Sequence, residues 1–181
     1  MSNTKTFTRI FTIADYEEEE NWLREQSRKG LHLQKMIQPF LYIFEVGEPE
    51  DVIYRLDYRN DRGDQDYTQM FADYGWECCG RCFGWIYFRK PASTVTCEEE
   101  GELFSDSESR LSMVQHVMMT RMLPLLVVFL CILIPQWMNI MDRPGEGVLE
   151  IIFTVLMVLY VILILHCGRK LYRFRKKLKK F

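Results

Sequence analysis

The apolar positions of this chain change rhythm along its length. Up to about Pro91 they recur at short periods, whereas from Met122 to Cys167 they run together. Thr4 to Ile13, TKTFTRIFTI, sets Phe7, Arg9, Phe11 and Ile13 against Thr6, Thr8, Ile10 and Thr12, an alternation that predicts a strand. Asp15 stands at a helix N-cap position with Glu18 three residues on, in capping-box register. The helix carries Trp22 and Leu23 inward and stops at Gly30. LHLQKMI and FLYIFEV then read as a hairpin turning around Gln38-Pro39, and DVIYRLDYRN as a further strand. After the polar insert Asn60 to Asp64, DQDYTQMFADYG predicts a second helix ending at Gly75, followed by more strand.

The two halves echo each other. Gly30-Leu31 matches Gly75-Trp76, Leu41-Tyr42-Ile43-Phe44 matches Trp85-Ile86-Tyr87-Phe88, and Ala14-Asp15-Tyr16 is paired with Leu56-Asp57-Tyr58. The expectation is a duplicated βαββ unit forming one α+β domain over residues 1–91, a mostly antiparallel sheet with helices on one face. An uncovered sheet face would be the ligand or partner surface, and Tyr42, Tyr54, Trp85 and Tyr87 are its candidate binding residues.

Residues 92–104 read as a linker by composition. Ser105-Asp106-Ser107-Glu108 is a capping box that opens a juxtamembrane helix, 105–121, running on into the first long apolar segment. Residues 122–141 and 148–167 are apolar runs of the length that crosses a hydrocarbon core of about 30 Å at about 1.5 Å per residue. Their only formal charge is Glu150, near an end, and neither run has a polar stripe for a water-facing side. The pattern predicts a two-helix transmembrane hairpin, joined by a loop at 142–147 and ending in a tail at 168–181.

Charge sharpens this picture. Met1 to Arg121 holds 14 Lys+Arg against 22 Asp+Glu, a balance of −8, while the tail holds 8 basic residues and no acidic one. The positive-inside bias puts both termini in the cytoplasm, and the N-terminal stretch lacks the apolar run of a signal peptide. Leu171, Phe174, Leu178 and Phe181 recur at helical spacing among Lys170, Arg173, Arg175, Lys176, Lys177, Lys179 and Lys180. This is a basic amphipathic helix suited to an anionic bilayer surface, and the acidic domain is its competing partner. An acidic domain excludes nucleic acid as a target.

Glu17 to Glu20 read as a solvated first helical turn that offsets the macrodipole. Cys78, Cys79 and Cys82 form the densest chemistry on the chain, yet no second C-x-x-C pair or histidine cluster completes a zinc set. Gly80-Arg81 would serve as a hairpin turn placing Cys79 opposite Cys82 as packed, reduced thiols, with metal or redox work by that pair as the alternative. No phosphate-binding, dinucleotide or hydrolase motif occurs, and no cofactor is called for.

FTIADYEEEENWLREQSRKGLHL, EPEDVIYRLDY, the aspartate-rich helix, GWIYFRKP and ELFSDSESR together resemble a bacterial family of unknown function, DUF2812. The resemblance covers about residues 5 to 121. It implies a cytosolic domain followed by membrane helices, often encoded beside PadR-type regulators, with no assigned catalytic residue. The expected function is a non-enzymatic regulatory or adaptor module of the bacterial plasma membrane, binding a protein partner or small ligand and able to form a homo-oligomer. A thiol or zinc module, or a structural subunit of a membrane complex, are the other classes.

Overall fold

A computed structural model describes residues 3–37, 40–59, 65–103, 107–141 and 147–178. The expected Gln38-Pro39 turn, the Asn60 to Asp64 insert, Ser105-Asp106 of the capping box, most of the 142–147 loop, and Lys179 and Lys180 lie outside the described residues. The chain forms two units, Met1–Ser109 and Arg110–Phe181.

The first unit is built from β1 (Thr4–Thr8), α1 (Tyr16–Ser27), β2 (Leu31–Ile37) and β3 (Leu41–Val46), then β4 (Val52–Tyr58), α2 (Gln65–Asp73), β5 (Glu77–Cys82) and β6 (Trp85–Pro91). These are two βαββ halves. Their strands make two antiparallel three-stranded sheets, ordered β1-β3-β2 and β4-β6-β5, rather than one continuous sheet. The halves match in detail. Each helix is followed by a left-handed glycine, Gly30 at φ 78° and Gly75 at φ 80°, and then a buried apolar residue, Leu31 or Trp76. A Cβ on Gly30 would lie 2.5 Å from the Gly47 carbonyl oxygen, so the first turn is closed to side chains on two counts.

Each second strand then slips register at the same place, between Leu33 and Lys35 in β2 and between Cys78 and Gly80 in β5. Phe44 and Phe88, opposite the residue before each slip, are both fully buried. The Ala14-Asp15-Tyr16 match does not survive: Asp15 precedes α1, whereas Asp57 is inside β4.

The first strand is shorter than its alternation suggests, ending at Thr8 so that Phe11 turns inward onto Trp22 and Tyr42. Asp15 occupies the N-cap of α1 but not as a capping box. Its Oδ2 accepts from the Thr12 amide (2.9 Å) and hydroxyl (2.6 Å), closing the turn before the helix.

The segment expected as a linker is folded onto the second half as far as Leu103. Two short 3₁₀ turns, Ala92–Thr94 and Glu98–Gly101, bring Ala92, Val95 and Leu103 against Ile53, Phe71, Trp76, Ile86 and Phe88. Arg55 grips Glu102 through two hydrogen bonds (3.1 and 2.9 Å), and Lys90 Nζ donates to the Glu100 carbonyl (3.4 Å). Composition suggests a linker because the apolar residues of this stretch are few, yet these three pack on the core and the bonds from Arg55 and Lys90 hold the rest.

A helical run over 107–141, all but its first three residues in the second unit, consists of α3 (Ser107–Val117), α4 (Leu123–Val128) and α5 (Ile134–Met141), separated by π-helical segments Met118–Met122 and Phe129–Leu133. Pro124 and Pro135 are the second residues of α4 and α5. Proline has no N–H and its ring crowds the carbonyl four residues back, so a widened turn before each one relieves the clash. The last helix, α6 (Gly147–Leu178), continues from the apolar run into the basic tail without a break. The two runs meet where Phe129 stacks on Tyr160 (5.6 Å), Tyr160 donates to the Leu125 carbonyl (3.0 Å), and Trp137 Nε1 lies 3.5 Å from Thr154 Oγ1.

Candidate functional site

The sequence of α1 sets Tyr16, Glu19, Glu20, Leu23 and Ser27 on one face, at spacings of three and four residues. Glu17 and Glu18 face water as expected, but Glu19 and Glu20 are buried, and they organise the domain. Glu19 Oε1 accepts from both the Tyr42 and Tyr87 hydroxyls, each at 2.7 Å. Tyr42 belongs to the first sheet and Tyr87 to the second, so one carboxylate oxygen pins the halves together. Burial pushes the Glu19 carboxyl above its ordinary range, against the pull of the two hydroxyls. Burial and the adjacent Glu19 raise both tyrosines well above the usual phenol range.

Glu20 works on the edge of β4. Its Oε1 accepts from the Leu56 amide (2.7 Å), and Ser27 Oγ accepts from the Val52 amide (3.2 Å), so α1 covers an edge that would otherwise be open. Arg55 lies 3.6 Å from Glu20 Oε2 while holding Glu102. Burial lifts Glu20 to about 8, with Arg55 and the Leu56 amide opposing that shift. Helical phase relative to Leu23 was the signal that could have exposed this pair; the four consecutive acids concealed it.

The structure brings together two of the four aromatic candidates. Tyr42 and Tyr87 meet on Glu19; Trp85 stacks on Tyr16 (5.7 Å) and meets the edge of Tyr58 (5.1 Å). Tyr54 stands apart, its hydroxyl accepting from the Leu33 amide at 3.3 Å. All four are buried, at most 6 % exposed, instead of lining an open face. The reason is the second sheet, which is covered on both sides. One face carries Tyr54, Leu56, Tyr58, Trp85 and Tyr87, and the other packs Ile53, Ile86 and Phe88 against Phe71 and Trp76. The first sheet buries Tyr42 and Phe44 against Trp22 (4.9 and 5.6 Å). Its opposite face, with Thr4, Thr6, Thr8, Leu41, Ile43 and Glu45, stays accessible.

The cysteines lie along β5 and are not paired across a turn. The hairpin turn is Phe83-Gly84, both left-handed at φ 47° and 87°, so Cys82 sits opposite Trp85 and Cys79 lies at the register slip. The Cys79 thiol contacts the Tyr87 carbonyl (3.5 Å) and burial pushes it up to about 12. None of the six cysteines is disulfide-bonded. No three His, Cys, Asp or Glu side chains come together as metal ligands would, among the described residues. Because the thiolate is the reactive form, Cys79 is expected to alkylate with iodoacetamide at pH 7.5 at least about 100-fold more slowly than exposed Cys97, and to match it only after unfolding. Peptide mapping of the labelled chain at timed intervals reads this, and equal rates would show an accessible thiolate.

In the tail, Leu171 is buried, Lys170 is half-buried, and Arg173 and Lys176 are exposed on α6; the side chains of Arg175 and Lys177 lie outside the described set. Two helices, Leu111–Ile140 and Glu150–Arg173, are long and apolar enough to cross a membrane, and only 6 % of each apolar window is buried within the protein. A soluble core helix of that composition would be mostly buried.

Compared with known proteins, residues 15–128 match the model of a family described as "Protein of unknown function (DUF2812)". No curated protein matches the chain, and no solved structure does.

Proposed function

Since the chain belongs to the DUF2812 family, whose match spans most of the sheet domain and the first part of the membrane-length helix Leu111–Ile140, we propose that it is a membrane-anchored, non-enzymatic interaction module. The sheet domain docks a protein partner, and the helical hairpin holds it at the bacterial plasma membrane with both termini in the cytoplasm. The observation that carries this reading is the asymmetry of the two sheets. The second is covered on both faces, whereas the outer face of the first presents Leu41, Ile43 and the three threonines to solvent. Non-obligate interfaces are about as apolar as the rest of a protein surface, so a face with half-buried Leu41 and Ile43 among threonines is compatible with one. The burial of Glu19 and Glu20 also supports binding over catalysis, because the domain's unusual carboxyls are occupied with internal bonds.

Anionic headgroups are the ground on which the tail rests, through Lys170, Arg173 and Lys176. The thiol or zinc reading is less well supported, since no three metal-ligating side chains gather among the described residues and burial disfavours the Cys79 thiolate.

Full-length protein cross-linked in its own membrane, then extracted in mild detergent and analysed by mass spectrometry, tests the reading. We expect a defined partner whose cross-links map to the outer face. Ile43→Glu, which sets the new carboxylate opposite Lys35, should lower its yield at least about tenfold while leaving the fold intact. Equal recovery with that variant would overturn the reading.

A further inference from the structure

The edges of the two sheets are not equally protected. The outer edge of β4 is taken up by Glu20 and Ser27 of α1, and the edge strands β2 and β5 lie beside each other. The outer edge of β1 has no such cover among the described residues: β1 pairs only with β3, and all five of its residues are exposed.

The ladder phase shows what that edge offers. The Val46 amide donates to the Asn3 carbonyl and the Arg9 amide to the Phe40 carbonyl, so odd-numbered residues from Asn3 to Arg9 turn their backbone groups toward β3. In an antiparallel pair the alternate residues point the other way. Thr4, Thr6 and Thr8 therefore present three N–H and C=O pairs outward, along a strand with no proline and no register slip.

The side chains indicate which strand fits there. The segment Thr4-Lys5-Thr6-Phe7-Thr8 is symmetric about Thr6 except at Lys5 and Phe7. The geometry points to a second copy of this chain as the occupant, its β1 running antiparallel to the first about a two-fold axis at Thr6. Thr6 then faces Thr6 of the other copy, and Thr4 faces Thr8; both are hydrogen-bonded pairs that use the outward backbone groups. Lys5 comes opposite Phe7, not opposite a second Lys5, so the charge that often blunts an edge strand lies against an aromatic face. Cross-strand Thr–Thr pairs are favourable, and opposed like charges are avoided. Two three-stranded sheets become one of six strands. The strand is short, and sharing a membrane raises the local concentration of one copy around another.

This goes beyond the partner reading, which uses the outer face and another protein; the edge can be tested with the purified chain alone. The experiment is amide hydrogen exchange of full-length protein in lipid vesicles, read at Thr4, Thr6 and Thr8 against the β3 amides. We expect the three threonine amides to exchange at least about 100-fold more slowly than an open edge, and to lose that protection when the lipid-to-protein ratio is raised about 100-fold. Thr6→Pro removes an outward N–H that β3 does not use, so Thr4 and Thr8 should open while β3 stays protected.

Fast exchange at the three positions in wild-type protein would overturn the proposal. So would protection that survives both dilution and Thr6→Pro, since the cover would then come from elsewhere. If Thr6→Pro also opens β3, the dilution series on the wild-type chain decides.

Discussion

Glu19→Ala should destabilise the sheet domain by about 2–5 kcal/mol, the largest single-residue effect we expect from a polar side chain here. The carboxylate oxygen it removes accepts two hydroxyl bonds at 2.7 Å, from Tyr42 and Tyr87, and both tyrosines are at most 2 % exposed. Each hydroxyl left without an acceptor in such surroundings costs about 1–3 kcal/mol. For a domain of about 100 residues, a loss of that total lowers the melting temperature by roughly 10–20 °C. Glu19→Gln keeps an acceptor oxygen and should lose much less.

The coupling is as informative as the magnitude. In a Tyr42→Phe, Tyr87→Phe background no hydroxyl remains to be orphaned, so Glu19→Ala should cost considerably less than in wild type. Tryptophan fluorescence during denaturation of the full chain follows this directly, since Trp22 packs 4.9 Å from Tyr42 and Trp85 stacks on Tyr16. A wild-type penalty under about 1 kcal/mol would mean that the hydroxyls find other acceptors.

The second large effect is a dependence on pH. Glu20 has a folded pKa of about 8 against an ordinary value of 4.5. Between those values the folded state holds a proton that the unfolded chain has released, so the folded form binds more protons. Stability from this group is therefore fully present below about pH 4.5 and lost as pH rises through 8. The loss is on the order of a few kcal/mol by pH 9, and the charged groups facing Glu20 are Arg55, Glu102 and Glu17. Glu20→Gln retains an acceptor for the Leu56 amide and cannot ionise. Its melting temperature should fall less than that of wild type between pH 6 and pH 9, and the two curves should cross. Parallel curves would sink the assignment. Asp51, held below the usual carboxylate range by Arg24 and Arg28, acts in the opposite window, with stability lost as pH falls through acid values.

Much of the fold was legible because certain backbone positions leave unambiguous marks. Gly30-Leu31 and Gly75-Trp76 announced two helix ends in matching halves, and both glycines do take left-handed angles. The shared letters Asp-Tyr carry no such mark of position: Asp15 closes a turn, while Asp57 accepts a hydroxyl bond from Tyr67 inside the sheet domain. The β5–β6 turn lies three residues beyond the position its sequence suggests. Gly80 is the residue a tight turn favours, yet the chain turns at Phe83-Gly84 and gives a phenylalanine a positive φ.

The candidate site was less legible. Tyr42, Trp85 and Tyr87 were singled out by being aromatic, but aromatic residues mark a buried layer as readily as a binding face. What decides between these is the helix that covers them, and its contribution was hidden in a run of four glutamates. The open face proved to be threonines and branched aliphatics, residues with no chemistry to attract notice in a sequence. The segment 92–103 looks like a linker for a similar reason: Arg55 and Lys90, upstream of it in the chain, supply bonds that fix it.

The placement of α1 along β4 has a bearing on how this protein can change over generations. If its halves descend from one duplicated unit, the ancestor could have shed either copy without harm. Here the helix of one half supplies the edge bonds of the other, through Glu20 and Ser27. Deleting the first half would strip β4 of its cover, and deleting the second would take the Leu56 amide from Glu20 and leave Glu19 with Tyr42 alone. Two halves of similar form are thereby made interdependent, and neither can be lost without exposing polar groups that the other now satisfies.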